Sequence, residues 1–138
     1  MPAEQLHQKA FESCLKQVGH ILELFAKHGD SLRYSNALIT PFHSHYAPNI
    51  SVELYLCVLS QHAGLADEQA PCLLILLERL CQASARKGHP IYINSLTVHR
   101  LVLTVVLVAS KILNDLYYTN AFIASMGGIS LDNINKLE

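Results

Sequence analysis

The chain has 138 residues, with 11 acidic side chains, 10 lysines and arginines and a formal net charge of −1. This length suits one domain with a sizeable core, since a chain of about 150 residues buries roughly two thirds of its unfolded surface. The near-neutral charge argues against a surface that attracts nucleic acid or an anionic membrane. The longest near-continuous apolar run, residues 101–109, is much shorter than the roughly 20 residues that a membrane span needs.

The chain begins with MPAEQLHQK, which has no apolar signal region, so we expect an intracellular protein of the cytoplasm, the nucleus or both. Four cysteines are dispersed among apolar residues without a CxxC pair, which predicts reduced, buried thiols: Cys14, Cys57, Cys72 and Cys81. His43 and His45 form an HxH pair, but no cysteine or carboxylate follows at ligand spacing. We therefore expect neither a metal nor a cofactor, and we expect the other histidines, His99 among them, at the surface or at helix ends.

In chain order, the apolar residues from Glu4 to His28 recur at intervals of three and four, which predicts an amphipathic N-terminal helix capped by Gly29. Prolines and polar residues then predict an ordered loop up to residue 49. Ser51 is a candidate N-cap and Gly64 a stop signal for a second helix of about 12 residues.

A third helix, expected to be mostly buried, carries Pro71 in its first turn and basic residues before Gly88. Asn94 or Ser95 can cap a fourth helix that runs to about residue 113 or 115. Its core, LVLTVVLV, could also form a buried strand, but the apolar pattern continues beyond the usual length of a strand.

Two short helices complete the prediction. The first spans TNAFIASMGG and is stopped by Gly127 and Gly128, and the second begins at SLDNINKLE with Ser130 as its cap. The sum is one all-α domain of about six helices.

Two opposite charges fall on apolar helix faces. At about 100° per residue, the fourth helix places its polar residues in one narrow stripe, which we expect to be its only exposed edge. The stripe comprises Arg100, Thr104, Lys111 and Asp115, with Leu107 and Val108 beside it. Glu138 lies seven residues after Leu131, on the apolar side of the last helix. Either Lys111 merely extends its ammonium to water and Glu138 lies at a frayed end, or both flank an apolar patch that binds a partner.

A dense set of residues recurs between positions 94 and 138: Asn94-Ser95, Val98-His99-Arg100-Leu101, Ala109-Ser110-Lys111, Asp115, Tyr117-Tyr118, Asn120-Ala121, Gly127-Gly128-Ile129-Ser130, Asn135 and Leu137-Glu138. This pattern closely resembles the second half of the cyclin box, in the form found in the P- or U-type cyclins of plants and protozoa and the phosphate-pathway cyclins of fungi. Upstream, TPFHSHYAPNISVELYL resembles the start of the first box helix, and LLERL lies where the family has its Asp-Arg helix. The resemblance covers residues 39–138.

This resemblance implies an all-α cyclin fold, a five-helix cyclin box preceded by the N-terminal amphipathic helix. The helix would occupy residues 1–29 and the cyclin box residues 30–138, with the core of the match over residues 48–138. Family members continue past the position of Glu138, so we expect a chain truncated in the fifth box helix. Such a chain would expose apolar core, and homodimerisation or domain exchange is the expected hazard.

The resemblance also implies a regulatory subunit, without an active site of its own, that binds and activates a cyclin-dependent kinase in cell-cycle or phosphate and nutrient signalling. In the family, a lysine at the end of the third box helix and a glutamate of the fifth contact the kinase, and here these are Lys111 and Glu138. The apolar side chains expected to pack on the C-helix of the kinase are Leu107, Val108 and Ile112, and Arg100 completes the expected kinase-binding set.

Departures from the family pattern bear on the choice of kinase: Glu78 replaces an aspartate, Val58 an arginine, and Asn114-Asp115 a double acid. Two alternatives remain. One is a helical adaptor that activates no kinase, and the other is a cyclin-like transcription module, which would need a basic surface. An enzyme has the least support, because the sequence contains no Gly-rich phosphate loop, nucleophile elbow or metal-ligand spacing.

Overall fold

A computed structural model describes residues 3–32, 40–44, 46–114 and 119–138, with side chains described from residue 14 onward in the first helix. The described residues form six α-helices, a 3₁₀ turn and no strand, which confirms the all-α prediction. The helices are α1 (Ala3–Ser31), α2 (Val52–Ala63), α3 (Ala70–Arg86), α4 (Val98–Leu113), α5 (Asn120–Gly127) and α6 (Leu131–Leu137), and the 3₁₀ turn is Asp67–Gln69. Among the residues described, no helix combines the length and apolarity that crossing a membrane requires.

Helix α4 is the centre of the fold. It packs against each of the other five helices, and 11 of its 16 residues are buried. Each fully buried valine or leucine contributes about 1.5–3 kcal/mol of transfer free energy, so this helix carries much of the hydrophobic stabilisation. The α4 residues that are not buried are Arg100, near its start, and Val108, Lys111, Ile112 and Leu113, near its end.

Helix α1 packs on the same core. Its side chains Val18, Leu22 and Ala26 are buried against the body of the domain. The helix runs two residues past Gly29, which was predicted to cap it. Gly29 instead lies against the backbone of the loop that precedes α4. A Cβ at this position would sit 1.8 Å from the carbonyl oxygen of Ile93, so only glycine fits there.

Three predicted helix signals are confirmed. The hydroxyl of Ser51 accepts a hydrogen bond from the N–H of Leu54 at 3.1 Å, and the hydroxyl of Ser130 accepts one from the N–H of Asn133 at 3.2 Å. Gly64 ends α2 in the left-handed conformation with φ 73°. These short-range signals fix the ends of α2 and α6 because they satisfy backbone groups that the helix itself leaves unpaired.

Three other expectations are corrected. Helix α3 is not mostly buried, since it packs on one side of the core and only three residues are fully buried: Ala70, Leu73 and Leu77. Helix α4 begins after Thr97, because the side chain of Asn94 instead accepts a hydrogen bond from the N–H of Leu96 within the preceding turn. Gly127 is the last residue of α5, and Gly128, with φ 73°, is the cap.

Candidate partner-binding site

Lys111 and Glu138, the two charges that the sequence singled out, form an ion pair. The Nζ atom of Lys111, in the last turn of α4, donates a hydrogen bond to Oε1 of Glu138 at the end of α6. Their side chains are 26% and 32% exposed, so the pair lies at the surface of the domain. An ammonium group is also favoured at this end of α4 by the partial negative charge of the helix C-terminus.

Asn120 joins the ion pair to a larger polar cluster. Its side-chain amide donates to Oε2 of Glu138 at 2.6 Å and to Oδ1 of Asn135 at 2.9 Å. The polar cluster of Lys111, Asn120, Asn135 and Glu138 therefore joins the end of α4, the start of α5 and one face of α6. In the sequence, Asn120 and Asn135 appeared only as part of the family pattern, although the spacing of Asn135 and Glu138 already put both on one side of a helix.

The cluster holds Glu138 in its charged form. Hydrogen bonds from Lys111 and Asn120 lower the pKa of the Glu138 carboxyl below its ordinary value of 4.5, and slight burial opposes this only in part. At neutral pH the Glu138 carboxylate is therefore negatively charged and paired with the positively charged Lys111 at the surface of the domain.

Apolar side chains flank the ion pair on α4. Ile112, next to Lys111, is 64% exposed, and Val108 lies one turn earlier on the same side of the helix and is half-buried. Leu107 is 0% exposed and belongs to the core. Of the three apolar residues expected to contact a partner, Ile112 and Val108 are thus brought together at the surface, whereas Leu107 packs inside the domain.

Arg100 lies apart from the ion pair. It is 11 residues before Lys111 on α4, roughly 16 Å along the helix axis, and its Nη1 donates to the carbonyl of Pro41 at 2.9 Å. The predicted exposed stripe is interrupted between them, because Thr104 is buried and its hydroxyl donates to the carbonyl of Arg100 at 2.7 Å. Asp115, the fourth member of that stripe, lies outside the described residues.

A second group of side chains supports the turn between α5 and α6. The hydroxyl of Tyr55 donates to the carbonyl of Gly127 at 2.8 Å, and its ring lies 5.2 Å from that of His99. His99 is buried in the first turn of α4, where its Nε2 hydrogen-bonds the carbonyl of Ile50 at 2.6 Å. The expectation that His99 lies near a helix end is confirmed, but it is not a surface residue.

The described residues contain no group of three or more histidine, cysteine or acidic side chains placed to hold a metal ion. His45 of the HxH pair lies outside them, and Nδ1 of His43 accepts a hydrogen bond from the N–H of Thr40 at 3.0 Å. The four cysteines are free thiols and half-buried rather than fully buried. Burial raises the pKa of the Cys81 thiol above its ordinary value.

The fold is that of a small all-helical domain with an ion pair and an exposed isoleucine at its surface. Comparison with known proteins gives the family, since residues 9–138 match the sequence profile described as Cyclin. The chain belongs to the cyclin family and is of the P or U type. Cyclins are regulatory subunits.

Three relatives illustrate the match. Cyclin-P3-1 of Oryza sativa subsp. japonica is 39% identical over 99 residues, which cover 72% of this chain and 40% of the relative. Cyclin-U4-1 of Arabidopsis thaliana is 31% identical over 139 residues, covering 99% of this chain and 67% of the relative. Nuc-1 negative regulatory protein preg of Neurospora crassa is 38% identical over 100 residues, covering 72% of this chain and 20% of the relative. The match thus spans from a fifth to two thirds of these relatives.

Proposed function

We propose that this chain binds a cyclin-dependent protein kinase and activates it by packing on the kinase's regulatory C-helix. Membership of the cyclin family supports the proposal. The observation that carries it is the ion pair of Lys111 and Glu138 beside the exposed side chain of Ile112. These are the positions at which the resemblance to the family places the kinase contact.

The arrangement suits such a contact physically. An exposed isoleucine supplies apolar area that a partner can bury, at about 25 cal/mol per Å². A neighbouring ion pair offers a donor and an acceptor to backbone groups of the partner, which fixes the register of the two proteins. Val108, on the same side of α4, extends the apolar part of this surface.

The mechanism is a shift of population in the kinase. A kinase is active when the glutamate of its C-helix pairs with the lysine that binds ATP, and this requires the helix in its inward position. A cyclin that binds the inward conformation more tightly than the outward one raises the population of the inward conformation. The ratio of the two affinities sets how far the equilibrium shifts. The cyclin supplies binding energy, and all the chemistry belongs to the kinase.

Binding and activation of purified cyclin-dependent kinases, measured by calorimetry and a phosphorylation assay, test the proposal. The informative variant is Ile112→Glu, and Ile75→Glu is its matched control, because Ile75 is 50% exposed on α3. We expect wild type and Ile75→Glu to bind and stimulate one kinase, and Ile112→Glu to lose about 2 kcal/mol of affinity or more. The proposal is overturned if a folded wild-type protein stimulates no kinase, or if both variants bind equally well.

The identity of the kinase would also assign the pathway. We propose a role in cell-cycle control or in phosphate and nutrient signalling, with the complex in the cytoplasm, the nucleus or both. Capture of a kinase that controls cell division supports the first role, and capture of one that responds to phosphate supports the second. A folded protein that binds no kinase would instead favour the helical adaptor.

A further inference from the structure

We infer that Asn120 is a positioning residue for the partner contact: its side-chain amide holds Glu138, and through it Lys111, in one arrangement before a partner binds. The inference rests on the proposed function, since it names the residue that prepares the surface which the kinase would contact. It concerns a residue that does not itself contact the kinase in this proposal.

The carboxylate of Glu138 is held at both of its oxygens. Lys111 donates to Oε1 from α4, and Asn120 donates to Oε2 from α5 at 2.6 Å. A surface ion pair alone contributes little, because two long side chains lose conformational freedom when they pair. A third residue that fixes the carboxylate removes part of that freedom before a partner arrives, and preorganisation of this kind raises affinity.

Asn120 is itself well anchored. It is the first residue of α5, directly after Thr119, whose hydroxyl caps the helix by accepting a hydrogen bond from the N–H of Phe122 at 3.2 Å. Its amide also donates to Oδ1 of Asn135 at 2.9 Å, and Asn135 lies three residues before Glu138 on α6. The position of Asn120 is therefore fixed by two helices.

The chemistry of the groups fixes the orientation of the amide. An ionised carboxylate only accepts hydrogen bonds. The NH₂ group of the Asn120 side chain, and not the carbonyl oxygen of that side chain, must therefore face Glu138. Both N–H bonds of that group are then used, one toward Glu138 and one toward Asn135. The lowered pKa of Glu138 agrees with this, because the hydrogen bond from Asn120 favours the charged carboxylate.

Three single variants separate positioning from a general structural role. Asn120→Ala removes the donor to Glu138. Asn135→Ala removes only the other contact of Asn120, and Asn133→Ala is the matched control on the same helix. The pKa of Glu138, measured by carbon NMR of its carboxyl in the free protein, reports on the donor directly. The affinity for the kinase reports on the partner contact.

We expect Asn120→Ala to raise the pKa of Glu138 and to weaken kinase binding about tenfold, as for loss of a hydrogen bond to a charged group. Asn135→Ala should have a smaller effect on both quantities than Asn120→Ala, because it loosens Asn120 but keeps the donor to Glu138, and Asn133→Ala should change neither appreciably.

The inference is overturned if Asn120→Ala leaves the pKa of Glu138 unchanged, or if Asn135→Ala weakens kinase binding as much as Asn120→Ala does. Failure of the proposed function has a different signature, in which a folded wild-type protein binds no kinase at all. In that case the NMR measurement on the free protein still decides whether Asn120 positions Glu138.

Discussion

Glu23, in the last third of α1, accepts a hydrogen bond at 3.0 Å from the backbone N–H of Val52, the first residue of α2. Seven residues later on α1, Asp30 accepts hydrogen bonds from both the hydroxyl and the backbone N–H of Ser95, the latter at 2.9 Å. The N–H groups at the start of a helix have no partner within the helix, and negative charge is favoured there. Two carboxylates of α1 therefore accept hydrogen bonds from the start of α2 and from the turn before α4.

Removing the first of these contacts should destabilise the domain. We expect Glu23→Ala to lower the free energy of unfolding by about 1 kcal/mol, the usual effect of losing a cap at a helix N-terminus. Urea denaturation followed by circular dichroism measures the change. Lys27→Ala, at an exposed position on the same helix, is the control, and an equal loss in both variants would contradict a capping role for Glu23.

The close approach at Gly29 predicts a different kind of loss. A Cβ there would lie 1.8 Å from the carbonyl oxygen of Ile93, so Gly29→Ala forces α1 away from this loop and should cost about 1–3 kcal/mol. Gly64→Ala meets no atom within 4 Å, and its expected cost of about 1–2 kcal/mol comes only from the left-handed backbone.

Asparagine, which tolerates the left-handed conformation, separates these two causes. Gly64→Asn should be milder than Gly64→Ala, whereas Gly29→Asn should be at least as harmful as Gly29→Ala. Thermal unfolding of the four variants makes the comparison. A harmless Gly29→Ala would contradict the close packing of α1 on this loop.

The sequence predicted those features that depend on neighbouring residues. Ser51, Gly64 and Ser130 act at helix ends within three or four residues of their partners, so local patterns suffice to find them. The burial of Thr104 and the cluster around Glu138 depend on how helices pack. Lys111 and Glu138 are 27 residues apart, and a helical wheel shows that each is out of place without showing that they meet.

Reversing the charges of the ion pair should separate its internal role from its external one. Lys111→Glu places two carboxylates together and should lower stability by about 1 kcal/mol while it weakens kinase binding. The double variant Lys111→Glu with Glu138→Lys restores an ion pair of opposite polarity. We expect it to regain stability but not kinase binding, because groups on the kinase would meet the wrong charge. Full recovery of binding would mean that the pair acts only within the domain.

Acid should weaken the domain through Glu138. Because the pKa of this carboxyl is lowered in the folded state, its contribution to stability is complete at neutral pH and is lost as the pH falls below 4.5 and through the lowered value. The stability difference between wild type and Glu138→Gln should therefore shrink on acidification. Added salt should also reduce it, since the pair is at the surface. A difference that stays constant from neutral to acidic pH would contradict the lowered pKa.

Alkali should weaken the domain through Tyr55, whose hydroxyl holds the end of α5. Burial raises the pKa of Tyr55 to about 12, although the nearby Arg100 opposes the rise. A group with a raised pKa stabilises the fold fully below its ordinary value of 10, and this stabilisation is lost as the pH rises toward the folded value. Tyr55→Phe leaves the carbonyl of Gly127 without this donor and should cost about 1 kcal/mol at neutral pH. In an ultraviolet titration the variant should lack one phenol that ionises well above pH 10. A Tyr55 that ionises together with exposed tyrosines would show that this side chain does not support the turn before α6.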